Sequence, residues 1–364
     1  MKLLKEGSVS FYLFNDVFYN PLAKFSRTFG VLAIYTFSKY VGRGLVVADS
    51  FAASGIRGLR YYVESNVVDK IVFNDKNPVA YQNIVYNIKF NKIKDARVFN
   101  LNYFVFLPIL GRGHFDVIDI DPYGTPAPYI DLAISFVKNR GLIIITATDL
   151  TALCGLYPRA AFRKYGSDII KTDFCHEVAL RVLIKELVFA GGRHNRIVLP
   201  LASMFSEQYA RIYAYVYDGR RDFPKNNLGY IEITNDRCYS VKRVSDSVNK
   251  PYIGPLWIGS LHDKEFIEYM IKYVDKLNIE ESEYKRLKSL LKLMKEEIEL
   301  PPYSFKVSKL ASKLRVSPPT LIDIIDRLKG MGFKAGRSHL GKDYFKTNAP
   351  YHVVLEVLED LGKK

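Results

Sequence analysis

Cysteine is scarce in this sequence, with three residues among 364. Cys154, Cys175 and Cys238 are odd in number, lie far apart and form no CxxC pair. This usage excludes a disulfide framework and a four-cysteine zinc site. We therefore expect a protein of a reducing compartment, the cytoplasm, with no metal centre.

Long apolar runs are also missing. No stretch approaches the roughly 18 consecutive apolar residues of a membrane helix. The charged start, residues 1–7, lacks the apolar segment of a signal peptide. With 48% hydrophobic and 25% charged residues, the chain is predicted to be globular, with no membrane partner. At about 150 residues per domain, two or three domains are expected.

Acidic residues are outnumbered by basic ones. The 38 Asp and Glu face 53 Lys and Arg, which gives a net charge of +15. Such an excess is typical of proteins that bind nucleic acid, although a generically basic protein would look the same. The charge alone indicates nothing about catalysis.

Strand-like and helix-like segments alternate through the first half of the chain, which predicts a parallel α/β sheet of the Rossmann-like kind. The predicted strands are 44–49, 70–75, 115–120 and 141–146. The predicted helices are 56–64, 78–90 and 129–137. Tyr- and Val-rich strands are expected over 195–217.

The composition changes near residues 249–251, where long basic amphipathic helices replace the strands. We expect one domain over 1–248 and a smaller α+β domain over 249–364. Within the second, residues 307–332 read as helix, turn and helix. This pattern fits a winged-helix unit that binds nucleic acid or a plain helical packing unit.

A turn of small residues follows the first predicted strand, in the segment 49–58 (DSFAASGIRG). It departs from GxGxxG and fits the looser turn that methyltransferases use for S-adenosylmethionine. Asp49 and Gly55 are therefore candidate cofactor residues. Asp75 ends the next strand, 20 residues after Gly55, at the spacing of a ribose-binding carboxylate. The alternative is that Asp75 merely caps the helix that begins at Pro78.

A possible reactive motif, the segment 119–126 (DIDPYGTP), follows the third predicted strand. An exocyclic amine is a poor nucleophile because its lone pair is delocalised into the ring. A carboxylate such as Asp121 that accepts its N–H protons would direct the lone pair towards a methyl donor. Pro122 would fix the turn and Tyr123 would stack on the base. The alternative is a strand end with a turn-forming Asp-Pro dipeptide.

Several segments in fixed order make the chain resemble the tRNA guanine-26 N2-dimethyltransferase family in its archaeal form. These segments are 17–21, 53–60, 74–75, 119–128, 146–149, 153–155, 163–166, 175–177 and 254–259. The resemblance implies transfer of one and then a second methyl group from S-adenosylmethionine to guanine N2. It also implies a tRNA partner that the second domain helps to hold.

The resemblance assigns roles residue by residue. It places the cofactor at Arg27, Arg57 and Asp75, with an adenine-side contact at Asn100 and Leu101. The chain departs from the usual family pattern at 26–28 (SRT) and at 100–102 (NLN).

Two other functions compete with this one. An adenine N6-methyltransferase uses a similar Asp-Pro-aromatic turn, and a non-catalytic RNA-binding protein could keep the same fold. The sequence does not fix whether one or two methyl groups are added, whether position 27 is modified, or the oligomeric state.

Overall fold

The computed structural model describes residues 1–206, 208–233 and 239–363, so Cys238 lies outside the described residues. The strands are β1 (Lys2–Glu6), β2 (Val9–Leu13), β3 (Leu45–Asp49), β4 (Val68–Asn74), β5 (Ala96–Phe99), β6 (Phe115–Ile120), β7 (Val137–Ala147), β8 (Arg196–Ser206), β9 (Tyr209–Asp218), β10 (Leu228–Ile233), β11 (Tyr239–Arg243), β12 (Tyr252–Trp257), β13 (Phe305–Lys306), β14 (Ala335–Arg337) and β15 (Tyr344–Thr347). The helices are α1 (Lys24–Val41), α2 (Ile56–Ser65), α3 (Pro78–Phe90), α4 (Tyr103–Leu110), α5 (Ala127–Phe136), α6 (Leu150–Leu153), α7 (Pro158–Tyr165), α8 (Cys175–Arg193), α9 (Lys264–Tyr273), α10 (Glu281–Glu296), α11 (Val307–Leu314), α12 (Leu321–Gly330) and α13 (Tyr351–Gly362).

A seven-stranded sheet forms the centre, in the order β5-β4-β3-β6-β7-β9-β8. The first five strands of this order are parallel, and β9 runs antiparallel between β7 and β8. The β6 strand is buried along its whole length, as expected where helices cover both faces of a parallel sheet. Ligands bind outside the carboxyl ends of such strands, so this edge is where a site is expected.

The predicted elements of the first half are largely confirmed. Helix α3 and strand β6 have the predicted bounds. Strand β7 begins at Val137, earlier than the predicted 141. Residues 138–140 are polar and interrupt the apolar pattern from which a strand is predicted. Arg140 in that stretch has a positive φ of 60°, and the pairing with β6 shifts register there. The hairpin of β1 and β2, helix α1 and helix α8 were not predicted.

The segment predicted as helix, turn and helix forms α11 and α12, and the hairpin of β14 and β15 follows. This is the arrangement of a winged helix. Helix α12 begins where it does because the Thr320 hydroxyl accepts a hydrogen bond from the Asp323 amide, at 3.2 Å.

The second half is joined to the first by shared core and shared sheet. Apolar residues of α9 and α10 belong to the same buried cluster as α1 and β3, whereas the winged helix and α13 have a cluster of their own. Strand β12 pairs with β10 across the predicted boundary at 248/249. The division into 1–248 and 249–364 stays a proposal. None of the described helices combines the length and the apolar character needed to cross a membrane.

A buried group of charged and polar side chains lies where the winged helix meets the central sheet. We call it the junction network: Glu177, Arg181, His262, Glu297, His339 and Lys346. Lys346 donates to Glu177 Oε1 at 2.6 Å, and Arg181 Nη2 donates to the same oxygen at 2.7 Å. Helix α8 and strand β15, which are distant in sequence, are thus held together by charge.

Glu297 is the second anion of the junction network. His262 Nδ1 accepts from the Ser203 amide at 3.3 Å, so its Nε2 donates to Glu297 Oε1, at 2.8 Å. Burial lowers the pKa of His262 to about 4, which keeps this ring neutral. Burial would raise the pKa of Glu297, but His339 and Lys346 outweigh it and hold that pKa well below its usual range.

Candidate active site

A cavity of about 450 Å³ opens at the carboxyl edge of the central sheet. Seven of the ten predicted site residues line it: Arg27, Asp49, Arg57, Asp75, Asp121, Pro122 and Tyr123. Gly55 lies in the turn that forms one wall, and Asn100 and Leu101 lie behind Asp75. The structure therefore brings the predicted residues to one place, although their roles stay predictions.

The small-residue turn is shaped by backbone needs. Gly55 caps α2 with a φ of +77°, which favours glycine. A Cβ on Gly58 would stand 2.3 Å from the Phe73 ring, so only glycine lets α2 approach the sheet this closely. The Gly58 amide donates to Asp49 Oδ2 at 3.0 Å. Asp49 is thereby fixed at the floor of the cavity.

Asp75 is oriented by two backbone amides. Its Oδ2 accepts from Ala53 at 2.8 Å, and its Oδ1 accepts from Asn77 at 2.9 Å. Helix α3 is capped by Asn77, whose side chain accepts from Val79. The capping alternative for Asp75 is therefore wrong, and its carboxylate lines the cavity with lone pairs to spare.

Asn100 and Leu101 support this wall from behind. Asn100 Nδ2 donates to the Asp75 carbonyl at 2.8 Å. The Leu101 amide donates to Asn74 Oδ1 at 3.2 Å, and Asn74 Nδ2 donates back to the Leu101 carbonyl at 3.1 Å. The end of β5 is thus tied to the end of β4, although neither predicted residue lines the cavity itself.

Asp121 is paired with Arg57, whose Nη2 donates to Asp121 Oδ2. Burial would raise the pKa of Asp121, but the charges of Arg57 and Arg211 and a hydrogen bond with Thr146 lower it below its usual range. The carboxylate is 24% exposed and faces the cavity. Asp121 is therefore an ionised acceptor available to a ligand.

Behind this pair lies a fully buried second pair, Arg211 with Asp119. Arg211 Nη2 bonds Asp119 Oδ2, and the Tyr61 hydroxyl donates to the same oxygen at 2.8 Å. Burial would lower the pKa of Arg211, but Asp119 outweighs it and holds that pKa well above the usual value. Burial and the neighbouring Asp119 raise the pKa of Asp49 to about 7.

These five side chains form what we call the cavity network: Asp49, Arg57, Asp119, Asp121 and Arg211. Sequence reasoning missed Arg211 entirely, because β9 enters the sheet from far along the chain. It also gave Asp119 no role, although this residue was visible in the motif.

The loop that carries Tyr123 is fastened to the end of β7. The Gly124 amide donates to Thr148 Oγ1 at 2.7 Å, and the Thr148 amide donates to the Gly124 carbonyl at 2.9 Å. Gly124 has a φ of +91°, which this tight turn requires. The turn leaves the Tyr123 ring 98% exposed at the cavity mouth.

The N-terminal region supplies a wall that was predicted only through the family segment 17–21. Phe18, Tyr19 and Asn20 line the cavity, and the Phe18 ring is 69% exposed. Arg27 is committed to a buried ion pair, with Nε donating to Glu6 Oε1 at 2.6 Å. Glu6, at the end of β1, therefore fixes a side chain of the cavity wall.

Two groups of metal-ligating side chains come together in the described residues. They are Cys154, Cys175 and His176, and His262, Glu297 and His339. In each group the donor atoms lie within 4.8 Å of one another. The first meets because α6 lies beside the start of α8, where the His176 ring also stacks on Phe205. The expected absence of a metal stays a prediction.

The strand order and the cavity at the carboxyl edge define a Rossmann-like methyltransferase. Trm1 from Pyrococcus horikoshii, solved with S-adenosyl-L-methionine, superposes with a TM-score of 0.89 over 98% of this chain and 100% of that chain, at 24% identity. The predicted fold class is therefore confirmed.

Sequence comparison gives the family. The family model for N2,N2-dimethylguanosine tRNA methyltransferases matches residues 2–359. The tRNA (guanine(26)-N(2))-dimethyltransferase of Methanocaldococcus jannaschii is 35% identical over 99% of both chains. That of Methanothermobacter thermautotrophicus is 35% identical over 95% of this chain and 93% of its own. The chain belongs to the N2,N2-dimethylguanosine tRNA methyltransferase family.

A further relative bears on the site of modification. The Aquifex aeolicus enzyme, 32% identical over 95% of this chain and 90% of its own, is a tRNA (guanine(26)-N(2)/guanine(27)-N(2))-dimethyltransferase.

Proposed function

We propose that this protein transfers one and then a second methyl group from S-adenosylmethionine to N2 of guanine 26 in tRNA. The observation that carries the proposal is Asp121, an ionised carboxylate at a cavity whose mouth carries an exposed aromatic ring. The adenine and binding-protein alternatives have no comparable support.

The cavity suits the cofactor in size and in donor set. Its volume of about 450 Å³ lies in the roughly 300–1,000 Å³ range of small-molecule sites. Asp75 would accept the ribose hydroxyls. Arg57 Nη1 is buried and makes no hydrogen bond among the described residues, so it can take a carboxylate. When bound, S-adenosylmethionine supplies a methyl group on a sulfonium, which needs no acid for its release.

Asp121 prepares the nucleophile. A carboxylate oxygen that accepts an N–H of the guanine amine localises the nitrogen lone pair and fixes the direction of attack. It can take the proton that the nitrogen loses after transfer and pass it to solvent at its exposed side. N2-monomethylguanine keeps one N–H, so the same contact serves the second transfer.

Phe18 and Tyr123 would hold the base. Both rings line the cavity and are mostly exposed, so each has a free face for a purine. Stacking contributes about 1–3 kcal/mol per base, which offsets part of the few kcal/mol needed to draw a stacked base out of tRNA. We also propose that 249–364 acts as a tRNA-binding domain, while the cytoplasmic location stays a prediction.

Nucleoside mass spectrometry tests this function. A tRNA transcript with G26 is incubated with enzyme and S-adenosylmethionine, beside a matched transcript with A26. We expect N2-methylguanosine and then N2,N2-dimethylguanosine from the first transcript alone. A peak of N6-methyladenosine from the second, or no modified guanosine from the first, would overturn the proposal.

A further inference from the structure

Helix α7 stands beside the reactive loop and is fixed to it. The Tyr165 hydroxyl bonds both Thr125 Oγ1 and Asp149 Oδ1, each at 2.7 Å. Lys164 donates to Asp149 Oδ2 at 2.9 Å. Ala161 and Tyr165, four residues apart, are buried and face the core. The helix is therefore fixed beside the loop that carries Tyr123.

The opposite face of α7 is exposed and has an unusual make-up. Arg159, Phe162 and Arg163 share this face at helical spacing, and Tyr157 precedes the helix. Tyr157 is 63% exposed and Phe162 is 58% exposed. Within the described part of the chain neither arginine makes an ion pair, and α7 contains no acidic residue.

Exposed aromatic rings occur both at the cavity and on the α7 segment. Eight aromatic side chains in the described ranges are between 37% and 98% exposed: Phe18, Tyr86, Phe90, Phe104, Tyr123, Tyr157, Phe162 and Phe189. Two of them line the cavity, and two more lie on the α7 segment. A soluble protein exposes large rings together where a partner covers them.

Helix α12 of the winged helix shows a contrasting surface. In many such units the second helix enters a nucleic-acid groove, which here would be α12. Its exposed face carries Asp323 and Asp326 beside Arg327 and Lys329, so its charge is balanced. Residues 249–364 hold 21 Lys and Arg against 16 Asp and Glu, so most of the +15 net charge lies in 1–248. Within them, residues 305–347, which contain the winged helix, hold 10 Lys and Arg against 3 Asp and Glu, so the balanced charge belongs to α12 alone.

We propose that the exposed face of α7 docks on the tRNA beside the target nucleotide. Arg159 and Arg163 bind the flanking phosphates, and Tyr157 and Phe162 cover the stack that the extruded guanine leaves open. The assignment rests on the proposed function, because it takes tRNA as the occupant. In other nucleic-acid complexes, arginines bind the phosphates and so position the protein on the backbone. Apolar and aromatic side chains insert where the stack of bases is opened.

Direct tRNA binding tests the arginines. In the double variant Arg159→Ala/Arg163→Ala we expect affinity to fall about 10-fold or more and the log–log salt slope to shrink by about 2, one per lost phosphate contact. The matched control is Lys89→Ala/Lys94→Ala, which removes the same charge from two exposed residues outside the proposed tRNA-binding domain. Equal affinity in the α7 variant and wild type, or an equal loss in the control, would overturn the proposal.

Turnover tests the rings. Tyr157→Leu/Phe162→Leu keeps apolar bulk but removes the π faces, and we expect kcat/KM for tRNA to fall about 10-fold. Phe90→Leu on α3 is the control and should leave kcat/KM unchanged. Unchanged kcat/KM in the ring variant would refute the stacking role.

The affinity for S-adenosylmethionine should match wild type in every variant, which shows that each is folded. Failure of the proposed function is separable from failure of this inference. The first appears as wild-type enzyme that modifies no guanosine, whereas the second appears as α7 variants that bind and turn over tRNA like wild type.

Discussion

The molecule contains two buried charge networks built from similar residues, and they differ in what lies beside them. The cavity network places Asp121 and Arg57 against open space, and Arg57 Nη1 is left without a partner in the described residues. In the junction network Glu177 Oε2 and His339 Nε2 also have no hydrogen-bond partner in the described residues. However, no member of this network lines the cavity, and its charges meet one another across the two halves of the chain. Ionisable groups held inside the protein thus serve chemistry in one place and assembly in the other.

The difference shows how to separate catalytic from structural ionisable groups in a single chain. A group whose partners all come from the protein stabilises the fold when it is paired. A group with an unused donor or acceptor facing a cavity is available to a ligand, and its charge state is set before the ligand arrives.

The largest expected effect is on catalysis at the cavity network. Asp121→Ala should lower methyl transfer about 10⁴-fold, at the upper end of what one positioned proton acceptor contributes. Binding of tRNA should persist. Single-turnover assays with saturating tRNA measure the loss, and Asp326→Ala on α12 is the control. Because Asp121→Ala leaves Arg57 unpaired, Asp121→Asn provides a second variant. Its rate of methyl transfer is expected to lie between those of the wild type and Asp121→Ala. Wild-type rates in both would remove Asp121 from the mechanism.

The next effect should be on stability at the junction network. Glu177→Gln removes the anion that Arg181 and Lys346 share and leaves Lys346 only the more distant Glu297, at 3.7 Å, so the free energy of unfolding should fall by about 3–5 kcal/mol. The rate of transfer per folded molecule should stay near wild type. Urea denaturation beside activity measures both quantities, with exposed Glu356→Gln as the control. Lost activity with unchanged stability would contradict the distinction between a structural junction network and a catalytic cavity network.

A substitution in the cavity wall, at Asp75, should lower the affinity for the cofactor. Asp75→Asn removes the charge from an acceptor of ribose hydroxyls, so calorimetry should show S-adenosylmethionine binding about 10- to 100-fold weaker, as for a lost charged hydrogen bond. The ratio of mono- to dimethylated product at saturating cofactor should change little. Unaltered cofactor affinity would exclude Asp75 from ribose binding.

The smallest effect concerns pH and Asp49. Its folded pKa of about 7 lies above its ordinary value of 3.8, so the folded state favours the protonated form. That stabilisation is complete below the ordinary value and is lost as pH rises through about 7. Asp49→Asn carries no charge, so its stability relative to wild type should rise by about 1–3 kcal/mol between pH 5 and pH 8. Exposed Asp360→Asn should show no such trend, and a flat difference for Asp49→Asn would contradict the assignment.

Much of the catalytic half could be predicted because its signals are local. The carboxyl ends of neighbouring parallel strands must meet, so Asp49, Asp75 and Asp121 could be placed together from strand spacing alone. The cap at Asn77 instead of Asp75 depends on backbone angles that composition does not reveal. Arg211 reaches the site only because β9 inserts between two strands, and no local pattern marks such an insertion.

The junction network was beyond prediction for a related reason. Glu177 was noticed only within the family segment 175–177, yet its partner Lys346 lies 169 residues further on. Contacts over such a sequence distance depend on how two packed units meet. A single charged residue among polar ones forms no periodic pattern, so the sequence does not reveal its partner.

The separation of Arg211 from Asp119 also sets an order of events during synthesis. The two lie 92 residues apart, so at about 5–20 residues per second Asp119 leaves the ribosome some 5–20 s before its cation is made. In that interval Arg57 is the only cation of the cavity network beside its three acids, Asp49, Asp119 and Asp121. Strands β7 and β8 cannot join the same sheet until β9 is made, because β9 lies between them. The catalytic half therefore completes its folding late in translation, when β9 emerges.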